Sequence, residues 1–277
     1  MRIAHISDPH FGTEDPPVRD ALRDELLREA PDLVVLTGDV TQRARQSQFR
    51  AARAFLDSLA PLPVFALPGN HDLPLFDLVT RFTEPYRYYR RHICATLAPF
   101  WLEDGVAVVG VNSTRALRHK HGQLSPALIE QVARRLDRLD ATFKVVALHH
   151  PLAIVEAADR RNRARGADEA IAAWVEAGAD LFLGGHIHLP YCVAVGTIAR
   201  RALVVQAGTS MSTRRRDGRP NSYNLLRFDA VDRRSLRIEE RDHDGRNGRF
   251  AMQVAHEAVR GDRGWALLPG AAPTATA

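Results

Sequence analysis

Arg2-Ile3-Ala4-His5-Ile6-Ser7-Asp8-Pro9-His10 is an apolar run the length of one short buried strand, and it stops on an acid and an imidazole two residues apart. The same arrangement recurs along the chain. A β-rich run over 32–37 is followed by Gly38-Asp39, and a strand over 64–67 breaks at Pro68-Gly69 ahead of Asn70-His71-Asp72. A strand over 144–148 leads into His149-His150-Pro151, and one over 181–183 into Gly184-Gly185-His186-Ile187-His188. Helical spacing of apolar residues falls between these runs, over 18–30, 48–59 and 168–176, and over 126–139, where Ser125 starts the helix. A further strand is expected over 106–111. From Tyr191 onward the helices stop, and strands over 193–198, 203–206, 223–228 and 235–239 follow one another through turns. Alternating β and α followed by a β-meander predicts an α/β (α+β sandwich) fold, with two packed mixed β-sheets flanked by helices. Residues 1–250 are expected to form one catalytic domain. Residues 251–277 read as a C-terminal extension, partly flexible in its Gly-, Ala-, Pro- and Thr-rich tail. Within it, 254–265 reads as a helix packing on its own domain; the alternative is a dimerising arm, which leaves a homodimer open.

Composition narrows the setting. The chain is 45% hydrophobic and 26% charged, ordinary for a globular protein. Apolar runs such as 33–36 and 145–148 stop after a few residues, far short of the ~18 needed to cross a bilayer. No secretory signal is read at the N-terminus. Cys94 and Cys192 lie far apart among apolar neighbours and are expected as free thiols in a reducing compartment, which makes the cytoplasm the expected location. The cations outnumber the acids by 38 to 33, but only Lys120 and Lys144 are lysines. The arginine clusters at 43/45, 90/91, 134/135/138, 160–165 and 214–216 read first as solvated salt-bridging faces. An anionic small-molecule substrate suits this charge, whereas a nucleic-acid partner is not demanded by it.

The polar ends of the five runs carry the chemistry. In α/β sheets, ligands bind at the carboxyl ends of the strands, so five such ends can meet at one rim. Asp8 and His10, two apart on an extended chain, point the same way, as do His186 and His188. Asp8, His10, Asp39, Asn70, His149, His186 and His188 exceed what one four-coordinate ion takes, and fit two ions sharing a carboxylate. Imidazole and carboxylate donors suit Mn2+ or Fe2+/Fe3+, and are compatible with Zn2+ or Co2+; the absence of cysteine donors argues against a structural zinc site. A pair of such ions stabilises both the attacking and the leaving oxygen of an in-line phosphoryl displacement.

The ordered series Asp8-x-His10, Gly38-Asp39, Gly69-Asn70-His71-Asp72, His149-His150-Pro151 and Gly185-His186-x-His188 resembles the calcineurin-like metallophosphoesterase superfamily over residues 1 to about 230. The resemblance implies a four-layer αββα fold and a metal-bridging hydroxide as nucleophile. It also implies that Asp8, His10 and His188 hold one metal, that Asn70, His149 and His186 hold the second, and that Asp39 bridges them. His71 matches the family's non-ligand histidine, which stabilises the transition state or protonates the leaving oxygen; Asp72 would orient its ring, and Asn70 and His71 would meet the substrate. His149, which ends its strand, is preferred as ligand over His150. His-His-Pro at 149–151, Asn112-Ser113-Thr114, and Gly208-Thr209-Ser210 followed by Arg214 and Arg216 make the chain most similar to the class III cyclic-nucleotide phosphodiesterase and glycerophosphodiesterase branch.

Three alternatives stand beside the phosphodiesterase reading. A phosphomonoesterase or a nuclease would use the same dimetal site. A nuclease also needs a basic track with stacking aromatics, for which Tyr86, Tyr88 and Tyr89 are the candidates. A non-catalytic protein-binding scaffold is the third, although such relatives usually lose ligands that this chain keeps. His119 and His121 read more readily as surface residues than as a lid, Arg214 to Arg216 equally as a phosphate contact or a solvated turn, and His243 and His256 receive no role.

Overall fold

A computed structural model describes residues 1–117, 120–229 and 233–269. Strands β1 (Arg2–Ile6), β2 (Leu33–Leu36) and β3 (Val64–Ala66) alternate with helices α1 (Pro16–Glu29) and α2 (Gln46–Asp57). Two short helices, α3 (Leu78–Thr83) and α4 (Arg87–His92), lead to β4 (Phe100–Glu103) and β5 (Val106–Val111). Then come α5 (Pro126–Arg138), β6 (Phe143–Leu148), α6 (Ala167–Glu176) and β7 (Leu181–Gly184). The chain ends in a run of strands: β8 (Tyr191–Gly196), β9 (Arg201–Gln206), β10 (Ser222–Phe228), β11 (Ser235–Asp244), β12 (Arg249–Gly261) and β13 (Gly264–Leu267).

Both halves of the sheet are mixed. β1, β2 and β3 run parallel, and β10, β11 and β12 continue antiparallel from β1. In the other half β5, β6, β7 and β9 run parallel, with β4 and β8 antiparallel on β5 and β9. The halves are joined where the β12–β13 hairpin reaches β9 through the single pair Gly264–Arg201, so one 13-stranded sheet folds back on itself.

Side-chain alternation fixes the layers. Leu33 and Val35 of β2 face Val145 and Ala147 of β6 in one core between the sheets. Val34 and Leu36 point the other way, onto Leu22 and Leu26 of α1 and Phe49 of α2. Val146 and Leu148 pack against Ile129 and Leu136 of α5 and Trp174 of α6. This is the expected helix–sheet–sheet–helix stack. Ser125 caps α5, its hydroxyl accepting from the Leu128 amide at 3.4 Å.

The helix expected over 254–265 is corrected. These residues belong to β12 and β13, and β12 pairs with β11 from Ser235–Val259 to Asp244–Arg249. The stretch mixes helix formers with Val254 and Val259, so local preference does not decide it, and the long antiparallel partner does. The boundary expected at residue 250 falls inside β12, and Ala258 and Trp265 join the core between the sheets. Residues 270–277 of the expected tail, and His119, lie outside the described residues. No helix among the described residues is long and apolar enough to cross a membrane.

Candidate metal centre

Because β1, β2 and β3 are parallel, their carboxyl ends share one edge, and so do those of β6 and β7. The face-to-face stacking of the two halves brings both edges together. Asp8, Asp39 and Asn70 arrive from one sheet, and His149, His186 and His188 from the other. Asp8, His10, Asp39, His186 and His188 all sit in left-handed backbone, with φ of 52°, 48°, 48°, 77° and 54°. For non-glycine residues this costs roughly 1–3 kcal/mol each and persists where surrounding contacts impose it. Here the Asp8 amide donates to the Gly38 carbonyl (3.1 Å), the His10 amide to the Asp39 carbonyl (3.1 Å), and the Thr209 hydroxyl to the Asp8 carbonyl (2.6 Å). At Gly69 a Cβ would collide with the Asp39 amide and carboxylate, so only glycine lets the β3 loop approach this closely.

All seven predicted donors converge. His188 Nε2 lies 3.2 Å and His10 Nε2 3.7 Å from Asp8 Oδ1, and the two ring nitrogens are 3.1 Å apart. Asp39 stands between the groups: its Oδ2 is 3.8 Å from His10 Nε2 and its Oδ1 3.4 Å from His149 Nε2. Asn70 Oδ1 is 3.1 Å from His149 Nε2, and the His186 ring stacks edge-on to His149 at 5.1 Å. Asp8 Oδ1, which faces the ring nitrogens of His10 and His188, is buried without a hydrogen-bond partner, an unusual state for a carboxylate oxygen in a cluster of ligand-type side chains. An oxygen- and nitrogen-rich set with an orphaned carboxylate oxygen fits first-row divalent cations.

Backbone carbonyls orient the rings. A carbonyl only accepts, so each ring nitrogen facing one carries its proton there. His149 Nδ1 donates to Thr37 O (2.7 Å) and His188 Nδ1 to Arg214 O (2.6 Å), which turns both Nε2 atoms inward. His150 is committed on both sides, with Nδ1 at the Ser113 hydroxyl (2.8 Å) and Nε2 at the Lys120 carbonyl (3.2 Å). His71 Nδ1 faces the Gln42 carbonyl at 2.9 Å. The orienting role expected of Asp72 is therefore corrected. Its carboxylate accepts from the Val40, Thr41 and Gly69 amides and the Thr41 hydroxyl, tying the β2 and β3 loops together. Nothing in the sequence marks Thr37, Gln42 or Arg214 as orienters, since every residue has a carbonyl. Ser7 was also missed; its hydroxyl donates to Asp8 Oδ2 at 2.5 Å, and only adjacency to Asp8 hinted at it.

Burial and mutual charge set the protonation pattern. Burial would raise both acids, but His188 beside Asp8, and His149 and His71 beside Asp39, hold the two carboxyls well below their usual range. Burial keeps His10 and His186 neutral, pulled down to about 3. Burial would do the same to His149, but Asp39 overrides it and lifts the ring to about 9. Burial, reinforced by the Asp39 charge, pushes Asp72 up to about 7.

A family model for calcineurin-like phosphoesterases matches residues 1–190, more than half of the chain. This chain belongs to the calcineurin-like phosphoesterase family. Among curated relatives, a cAMP/cGMP dual specificity phosphodiesterase of Mycobacterium tuberculosis is 26% identical over 244 residues, covering 78% of this chain and 72% of the relative. A glycerophosphodiester phosphodiesterase of Enterobacter lignolyticus is 36% identical over 83 residues, covering 26% of this chain and 30% of that protein. The crystal structure of a dimetal phosphatase from Danio rerio superposes with a TM-score of 0.62 at 13% identity, over 91% of this chain and 98% of that one. At that identity the likeness speaks for the fold.

The other residues singled out in this calcineurin-like phosphoesterase divide between the site and the scaffold. Arg214 reaches the site: its Nη1 donates to Gln42 Oε1 (2.9 Å) and lies 3.3 Å from His71 Nε2. Arg216 is held by Glu156 and Asp159, and Arg134 and Arg163 are paired with Glu130 and Asp168, as expected of salt-bridging arginines. His121 Nδ1 donates to the Arg161 carbonyl and so joins two rim loops. Tyr89 is fully buried against Phe49, and the Tyr86 hydroxyl bonds Thr114. These tyrosines pack the fold and form no stacking track.

Proposed function

We propose that this calcineurin-like phosphoesterase cleaves a phosphodiester, of cyclic-nucleotide or glycerophosphodiester type. In this reading Asp8, His10 and His188 hold one cation, Asn70, His149 and His186 a second, and Asp39 both. The observation that carries it is the convergence of all seven donors around Asp39 with His71 beside them: the His10 and His71 rings meet edge-on at 4.9 Å. Two Mn2+ or iron ions bound there supply an acidified water and positive charge for the phosphoryl oxygens.

The chain's own residues do the rest. The Gln42 carbonyl fixes the His71 ring through Nδ1 and leaves Nε2, 3.3 Å from Arg214 Nη1, as the nitrogen through which a proton would pass to the departing alkoxide. Asn70 and His71 border the phosphoryl position. Arg214, whose guanidinium has no carboxylate partner among the described residues, offers its Nε and Nη2 donors to a non-bridging oxygen.

The test is His71→Ala, with metal content measured on the same preparation. Cyclic nucleotides and glycerophosphodiesters should be hydrolysed about 10²–10⁴-fold more slowly, with much less loss on bis-p-nitrophenyl phosphate, whose leaving group needs little help, and with metal content unchanged. Parent protein loaded with Mn2+ that hydrolysed no diester would remove the reading altogether.

A further inference from the structure

Helix α3 is built inside out. Arg81 is only 6% exposed and its Nη1 donates to the Pro74 carbonyl at 2.7 Å, while Phe76, Leu78, Val79 and Phe82 project outward, with Phe76 and Val79 each 75% exposed. Soluble surfaces rarely gather large apolar side chains in this way, and such patches mark interaction sites. The location adds to the oddity. This segment follows the carboxyl end of β3, directly after Asn70-His71-Asp72. Leu117, 85% exposed, follows the carboxyl end of β5, and the exposed Val155 that of β6. Three loops that ring the same mouth thus raise apolar tips around a polar centre. Exposed cations accompany them: Arg90 and Arg91 on α4, and Arg160 and Arg161 in the loop after β6 have no ion-pair partner among the described residues.

We infer that this rim docks on an anionic phospholipid surface, with the apolar tips inserted at the acyl boundary and the arginines on the headgroups. Apolar side chains flanked by cations are the composition that lies in a membrane interface without spanning it. Charge favours lipid over a second copy of the chain: anionic headgroups supply partners for Arg90, Arg91, Arg160 and Arg161, whereas a two-fold contact would bring two such arginine-bearing rims together. It would also close the mouth. The consequence for substrate rests on the phosphoesterase reading: a mouth held against a bilayer favours phosphodiesters carried by lipids over those free in solution.

Vesicle sedimentation tests the docking without any turnover. The protein should pellet with vesicles of phosphatidylcholine containing about a third phosphatidylglycerol, bind pure phosphatidylcholine more weakly, and lose affinity as salt rises. The combined variant Phe76→Ser/Val79→Ser/Phe82→Ser should bind about tenfold or more weakly, and Arg160→Gln/Arg161→Gln should lose the phosphatidylglycerol preference. Both should keep the parent's thermal midpoint and its hydrolysis of soluble bis-p-nitrophenyl phosphate. The inference is overturned if the parent stays in the supernatant at low salt, if the serine variant pellets like the parent, or if light scattering shows a parent dimer that the serine variant converts to monomer. A metal-loaded parent that binds vesicles yet hydrolyses no diester would sink the phosphoesterase reading and leave the docking standing.

Discussion

Arg214 serves the site twice, its backbone carbonyl holding His188 and its side chain reaching Gln42 and the neighbourhood of His71. Truncating the side chain leaves the carbonyl in place, so the two roles separate. Arg214→Ala should keep metal content but raise KM for an anionic diester about ten- to a hundredfold, the worth of one lost charge-assisted hydrogen bond. It should lower kcat much less, and Arg214→Lys should recover part of the loss. Equal kcat/KM in parent and alanine variant would remove Arg214 from the site. This residue also shows where sequence stops informing. The convergence of Asp8, His10, Asp39, Asn70, His149, His186 and His188 was readable because coordination would demand particular atoms, and those atoms name their residues. The carbonyls of Thr37, Gln42 and Arg214 were not, because any residue supplies one and only the loop path decides which ring it meets. Asp72 drew the wrong inference for the same reason: adjacency to His71 suggested contact, whereas the short helical turn over Asn70–Asp72 sends its carboxylate back to the β2 loop.

Among the elements, those whose burial alternates or follows a helical stripe matched their sequence pattern, and β12 did not. Its residues alternate poorly because both faces are exposed over Ala251 to Val254, after an exposed Arg249 and a buried Phe250. What holds this strand is its ladder to β11, the other arm of a hairpin closed at Asp244–Arg249, a partner that the stretch 254–265 read by itself does not contain. Asp242 on β11 has a measurable consequence. Burial, reinforced by the Glu240 charge, raises its carboxyl from 3.8 to about 6. Below about pH 4 it is protonated in both folded and unfolded chains and costs nothing. As pH rises through that interval, the unfolded chain ionises first, so stability falls and then levels off above about pH 6. Allowing for the partial exposure of the group, the cost is about 1 kcal/mol. Asp242→Asn removes it, so the variant should melt about 2 °C above the parent at pH 8 and together with it at pH 4. A variant equally stabilised at both pH values would show that ionisation is not the cause.

For the molecule as a whole, the position of the donors relative to the two sheets matters more than their number. Asp8 and His10 come from one sheet and His188 from the other; Asn70 comes from the first sheet, and His149 and His186 from the second. Under the proposed assignment each cation therefore bridges the sheets, fastening the edge of the sandwich that carries the site. The opposite closure is covalently continuous, through the β12–β13 hairpin and Asp180, which accepts from Trp265 Nε1 (3.1 Å) and pairs with Arg260 (2.9 Å) and Arg200 (3.1 Å). At the site edge the chain crosses between the sheets from β9 to β10, and the crossing is fastened by the Ser210 amide on the Ser7 carbonyl, the Thr209 hydroxyl on the Asp8 carbonyl and the His186 amide on Asp8 Oδ2, to which bound cations would add. Binding to the folded chain alone stabilises it by about 2.7 kcal/mol at a hundredfold excess over Kd. Chelation should thus lower the thermal midpoint by several degrees, and added Mn2+ should restore it. The loss should also be local, with hydrogen exchange accelerating at the carboxyl ends of β1, β2, β6 and β7 while Trp265 and its neighbours in β13 stay protected. If stripping the metal changed neither the midpoint nor those amides, cations would not be joining the two sheets, and the division of donors across the seam would need another explanation.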